Sequence, residues 1–250
     1  MVSYKVLIMR KPEQTSTRTQ PRKAAGRTTS PRAAGRGRRP SRAEATPYHH
    51  GALRAALLEA AERVLERDGL PGLTLRAVAR EAGVSHAAPT HHFGDLTGLV
   101  SELAAIGFRQ FNAAMAAACG GGELSINQRA MARAKAYVAY AKAHPGMYGL
   151  MFRTERLDYS RPSLHEAAEA SFAGLAGAIV ANRQEQITDG ALTLDQAAAI
   201  ARAWSLIHGF TMLILDGRLK DVLSRSPAGT SVESLLEAMM KATVYKPGGH

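Results

Sequence analysis

The chain has 250 residues, 46% hydrophobic and 21% charged, enough for one substantial core or two small ones and excluding a short peptide, a collagen-like fibre or an unbroken coiled coil. Its single cysteine, Cys119, excludes an internal disulfide framework and fits a reducing compartment, so a cytoplasmic location is the expectation. The net charge of +11 is unevenly placed: residues 1–46 carry twelve Lys and Arg against two acids, and residues 47–250 carry twenty against nineteen.

The basic character therefore belongs to a tail. Lys11 to Pro47 is rich in Arg, Pro, Gly, Ser and Thr and nearly free of large apolar residues, so residues 1–46 read as a disordered basic arm that buries too little surface to offset ordering entropy. The same composition suits an organelle transit peptide, an arm attracted to nucleic acid, or a plain solvated extension. None of these readings explains the apolar run Met1–Arg10.

From Tyr48 onward the periodicity is helical. Leu53, Leu57, Ala60, Ala61, Val64 and Leu65 share one face and predict an amphipathic helix that stops near Asp68-Gly69. A short helix capped by Thr74 buries Leu75, Val78 and Ala79, and after Ala82-Gly83-Val84 a third, capped by Ser85, reaches about His92. Gly83 suits the sharp reversal because it takes positive φ without steric cost. A long helix over 95–118 buries Leu99, Val100, Leu103 and Phe111, and Gly120-Gly121-Gly122 is the expected hinge. Helical segments follow at about 125–144, 145–153, 163–186, 194–215 and 231–244. The expected fold is all-α: a three-helix DNA-binding unit with its connecting helix over 47–118, and a helical ligand-binding and dimerisation domain over 119–250.

Residues 74–92 describe two short helices joined by a glycine-containing turn, the helix-turn-helix pattern. The first helix braces the second so that it lies in the major groove, whose base edges form a distinct code. Small Ala79 permits the close crossing. Thr74 and Ser85 would set hydroxyls and free N–H groups at helix N-termini, where phosphate is favourably held. Pro89 has no N–H to give the Ser85 carbonyl, so this helix must be short or start tightly wound.

With Tyr48-His-His-Gly51, the turn Ala82-Gly-Val-Ser85, His92-Phe93 and the long following helix, residues 48–118 resemble a TetR-family transcriptional regulator. His144-Pro145, Tyr148-Gly-Leu-Met-Phe152 and Trp204-Ser-Leu-Ile-His-Gly209 resemble the C-terminal domain of a subgroup named for a Trp-His-Gly signature. The resemblance implies a bacterial, nucleoid-associated homodimer whose N-terminal units bind half-sites of a palindromic double-stranded operator and whose C-terminal domains hold a small-molecule effector, with repression as the family default. Carried over, the recognition helix is His86 to His92: His86, Ala87 and His91 meet bases or groove walls, Thr74, Ser85 and His92 meet phosphates, and Arg76 and Thr90 share the DNA-facing set. Thr90 stands where the family usually has tyrosine, and Leu96 where a lysine commonly opens the fourth helix. Both family residues touch phosphate, so Arg32, Arg36, Arg38, Arg39 and Arg42 of the arm are expected to support binding in their place, from the minor groove.

In the second half, 194–215 is apolar almost all round and 231–244 carries Val232, Leu235, Leu236, Met239 and Met240. The resemblance places these two helices in a four-helix dimer interface, and burial within one subunit is the alternative. Tyr148, Met151, Phe152, Phe172, Trp204 and His208 are candidates to line the effector cavity, or are plain core. The strongest apolar stretch, 203–215, is too short to cross a bilayer, and no membrane partner is expected. No cofactor, metal or catalytic residue is expected either: His49-His50 and His91-His92 are adjacent pairs that point apart, Gly83-Val-Ser-His-Ala87 lacks the last glycine of a nucleophile elbow, and no phosphate loop occurs. The competing functions are a helical enzyme or ligand-binding protein that has lost specific DNA binding, and a protein that binds DNA mainly through its arm.

Overall fold

The structure, a computed structural model, describes residues 47–120, 123–187 and 190–242. The basic arm with Arg32, Arg36, Arg38, Arg39 and Arg42, the Gly121-Gly122 part of the hinge and the end of the last predicted helix lie outside the described residues.

In chain order the helices are α1 (Pro47–Gly72), α2 (Leu75–Glu81), α3 (Ala87–Phe93), α4 (Leu96–Ala117), α5 (Ile126–Ala143), α6 (Pro145–Met151), α7 (Pro162–Asn182), α8 (Leu194–Leu215), α9 (Lys220–Ser224) and α10 (Val232–Ala242), with a 3₁₀ turn at Thr154–Arg156 between α6 and α7. The all-α expectation holds for the described residues. The 3₁₀ turn and α9 were not expected, because three to five residues are too few to show an apolar period.

Local chemistry explains the boundaries. The predicted stop of α1 is a break at Gly69, which takes φ 68° before one further turn carries the chain through Pro71. Asp95 opens α4 by accepting from the Gly98 N–H at 2.7 Å. Ser125 with Gln128 and Thr193 with Gln196 form reciprocal capping boxes at the starts of α5 and α8.

A single apolar core runs from Leu57, Ala61 and Val64 on α1, through Leu99, Leu103 and Phe108 on α4, to Tyr148 and Met151 on α6. The long α4 is its spine, packed on α1 and α3 at its start and on α5, α6 and α7 along its length. A polar seam reinforces the joint between α1 and α6: the Glu66 carboxylate accepts the Gly146 N–H at 3.2 Å and the Met147 N–H at 3.0 Å. These N–H groups open α6 and have no partner within their own helix.

The expectation that an apolar stretch too short for a bilayer excludes a membrane span needs correction. α8 is long and apolar enough to cross one by length and composition, since its helix extends N-terminally beyond the apolar stretch through alanines. Its polar content speaks against a lipid setting: Gln196 is buried and donates to the Gln186 carbonyl at 3.1 Å, Asp195 and Arg202 lie on the same helix, and His208 is hydrogen-bonded within the protein.

Candidate functional site

Thr74 caps α2 as expected, its hydroxyl accepting the Ala77 N–H at 3.1 Å. Val78 and Ala79 are fully buried and Leu75 half-buried, so α2 rests on α1 while Arg76 stays exposed. Gly83 takes φ 68°, and the turn closes with the Val84 N–H on the Ala79 carbonyl at 3.0 Å. Arg63 and Arg67 of α1 both reach Glu81, at 3.0 and 2.9 Å, tying the end of α2 down. Such exposed pairs are screened by solvent and add little to stability.

The start of α3 differs from expectation. Ser85 is not its cap; the N-cap is His86, without a side-chain hydrogen bond, and the Ser85 carbonyl accepts the Ala88 N–H at 3.0 Å. Pro89 supplies no N–H, so the carbonyl is taken one residue earlier and the first turn is tight. With that register Pro89 and Phe93 point into the core, Ala88 and His92 are half-buried, and His86, Ala87, Thr90 and His91 are exposed with Ser85 beside them. The structure thus presents Ser85, His86, Ala87, Thr90 and His91 on one outer surface and draws His92 partly inward, its ring 6.2 Å from that of Phe93.

Leu96 is half-buried and lines a cleft of about 180 Å³ with Leu70, Leu73, Thr97, Val100, Glu155 and Arg156. None of the expected effector residues lines that cleft.

Of the expected effector residues, Tyr148, Phe152, Trp204 and His208 form an aromatic cluster where α6 meets α8. Tyr148 and Met151 are fully buried, Phe152 and His208 half-buried, and Trp204 is 41% exposed. The Phe152 ring lies 4.7 Å from that of His208, 4.9 Å from that of Tyr148 and 6.5 Å from that of Trp204. The Tyr148 hydroxyl is 2.7 Å from Nδ1 of His208 and 3.0 Å from the hydroxyl of Tyr137, which is itself 3.1 Å from the same nitrogen. Tyr137 was missed in the sequence; it comes from α5, and no local pattern links it to Tyr148 or His208. Phe172 is not brought in: it is half-buried on α7, and no described ring contact joins it to the others.

Burial pushes the Tyr137 hydroxyl up to about 12, against hydrogen bonds from Tyr148 and Trp204, and raises Tyr148 well above the ordinary tyrosine value. Burial also holds His208 below its ordinary 6.5. The folded chain therefore favours the neutral ring, whose Nδ1 lies within hydrogen-bond distance of both tyrosine hydroxyls. On acidification the unfolded chain binds this proton first, so stability is lost from about pH 6.5 downward until the folded ring protonates as well. The melting temperature is expected to fall between roughly pH 7.5 and 5.5, and part of that fall to vanish in His208→Gln. Equal slopes in the two proteins would show that His208 does not titrate in this way.

Residues 57–103 match the family of bacterial regulatory proteins of the tetR type, and residues 130–239 match the tetracyclin repressor-like C-terminal domain. The two matches fall on the helix-turn-helix unit and on the body that holds the aromatic cluster. The chain belongs to the TetR family. This TetR-family chain is 34% identical to a Rhodococcus sp. RHA1 protein of unknown function with a solved structure, over 78% of this chain and 95% of that one, with a TM-score of 0.62. The TetR-family transcriptional regulator PfmR from Thermus thermophilus, 16% identical over 74% of this chain and 94% of its own with a TM-score of 0.51, shares the fold. The HTH-type transcriptional regulator BetI of Burkholderia cenocepacia (strain HI2424) is 45% identical over 47 residues, 19% of this chain and 24% of that protein. The TetR-family chain thus matches only about a quarter of the length of that curated relative.

Proposed function

We propose that this protein is a sequence-specific DNA-binding transcriptional regulator, acting as a homodimer and as a repressor, whose operator affinity is set by a small-molecule effector. The observation that carries this reading is α3: a seven-residue helix clamped on α2 and α4 through Pro89 and Phe93, with His86, Ala87, Thr90 and His91 facing outward. These four side chains would meet the major groove, with Thr74, Arg76 and Ser85 toward the backbone phosphates. The names of the BetI relatives and of the matched C-terminal family support the regulator and repressor parts.

The dimer reading rests on α8 and α10. One side of α8 buries Ile200, Ile207, Phe210 and Thr211, while Trp204 and Leu213 are each 41% exposed and Met212 36%. On α10 only Leu236 is buried, and Met239 and Met240 are half-exposed. A second copy against this apolar face gives the twofold symmetry that a palindromic site requires. Trp204, His208 and Gly209 stand at the signature positions of the Trp-His-Gly subgroup, in which we place the chain. The effector would enter beside Phe152 and Trp204, where the cluster reaches the surface. A cytoplasmic, nucleoid-associated location follows from this function.

Footprinting of the full-length protein on its own upstream DNA tests the reading, with and without residues 1–42 across a salt series. A discrete protected palindrome is expected, with weaker binding and a flatter salt dependence once the arm is gone. Protection indifferent to sequence would point to binding by the arm alone, and no protection would refute a DNA-binding role.

A further inference from the structure

We propose that Arg161 is the positioning residue by which the effector-holding half of the chain fixes the recognition helix. The proposal deepens the DNA-binding reading of α3 and rests on it. Arg161 ends the loop between α6 and α7, 68 residues beyond Phe93 in sequence, yet its Nη2 donates to the Phe93 carbonyl at 3.2 Å. Phe93 is the last residue of α3, and a terminal helix carbonyl has no acceptor role within its own helix. Nη1 of the same guanidinium lies 3.7 Å from the Glu102 carboxylate on α4.

Glu102 gathers the rest of the joint. It accepts from Arg54 of α1 at 2.6 Å and from the Ser163 hydroxyl of α7 at 2.9 Å. Arg54 in turn lies over the Phe93 ring, 5.4 Å from its centre. Two arginines, one from each half of the chain, thus hold the ring and the carbonyl of one residue, and a single carboxylate anchors both.

The third donor of Arg161 gives this grip an alternative. Its Nε is buried without a hydrogen-bond acceptor, and the nearest carboxylate is Asp158 of its own loop, at 3.6 Å. A small shift of the loop that closed that bond would draw the guanidinium from Phe93, so Asp158 is the alternative partner for which the grip on α3 would be exchanged. The loop starts at Phe152, whose ring packs on Trp204 and His208, and it is pinned to α4 by the Asp158 N–H on the Ser101 hydroxyl at 2.8 Å. A small molecule lodged beside Phe152 therefore acts on the residue that holds the end of α3.

The test uses the full-length protein with Arg161→Lys, which keeps a cation beside Glu102 but loses the planar fork, and Asp158→Asn, which weakens the alternative partner. Affinity is measured for the protected operator and for random DNA at one salt concentration. Amide hydrogen exchange is followed at residues 90–95 and in α8. Arg161→Lys is expected to weaken operator binding about tenfold, the scale of one charge-assisted hydrogen bond, with random-DNA binding and α8 exchange unchanged and the α3 amides exchanging faster. Asp158→Asn is expected to bind the operator at least as tightly as the parent. Equal losses on operator and random DNA, or unchanged α3 exchange, would overturn the proposal. A parent protein without an operator would overturn the DNA-binding reading instead, and the exchange of α3 in Arg161→Lys would still decide whether Arg161 fixes that helix.

Discussion

Gly98→Ala is expected to destabilise the protein and to impair DNA binding, although alanine is the better helix former by about 1 kcal/mol. Gly98 lies in the first turn of α4, where the end of α3 crosses it. A Cβ there would overlap the Phe93 carbonyl oxygen and press on the Arg161 guanidinium. The arginine can swing aside, but the carbonyl belongs to the backbone of the recognition helix and cannot yield without moving that helix. Overpacking of this kind costs about 1–3 kcal/mol and more where backbone must shift, which exceeds the gain in propensity. The melting temperature should fall by several degrees, at roughly 2–4 °C per kcal/mol for a chain of this size. A variant that melts at or above the parent temperature would show that α3 is not seated as described.

Tyr148→Ala is expected to have the largest effect on stability, about 3–5 kcal/mol, as for other large aromatic truncations in a core. The side chain is fully buried and packs against the rings of Tyr137, Phe152 and His208. Tyr148→Phe separates packing from hydrogen bonding: it keeps the ring but takes one hydroxyl partner from both Nδ1 of His208 and the Tyr137 hydroxyl, at an expected cost of about 1–3 kcal/mol. Urea unfolding of the two variants reads both values. A Tyr148→Phe protein as stable as the parent would mean that the hydroxyl cluster adds nothing to the fold.

The sequence carried the helical class and the outline of the DNA-facing unit because these depend on near neighbours. Thr74 as a cap, the turn at Gly83 and the stop near Gly69 are each settled within four residues. The cap assigned to Ser85 failed for a reason also written locally, since Pro89 lies four residues on and shifts the first hydrogen bond to Ala88. The grouping of Tyr148, Met151, Phe152, Trp204 and His208 was legible through resemblance, whereas Tyr137 and Arg161 were not. Their partners lie 11 to 71 residues away, and no period or motif encodes a contact made only when α5, α8 and the loop before α7 fold onto α4 and α6. Leu96 looked like a lost phosphate contact in the sequence; in the fold its side chain joins Leu70 and Leu73 in lining a cleft.

Glu66 binds the opening of α6 from α1, so the two halves share a seam as well as a core. Heat or denaturant should therefore melt them together as one unit. The seam also limits how such a chain can be recombined. A reading head transplanted from another regulator would dock on this body only if it brought an acid at position 66 and met a glycine at 146, where any Cβ would press on the Leu65 carbonyl.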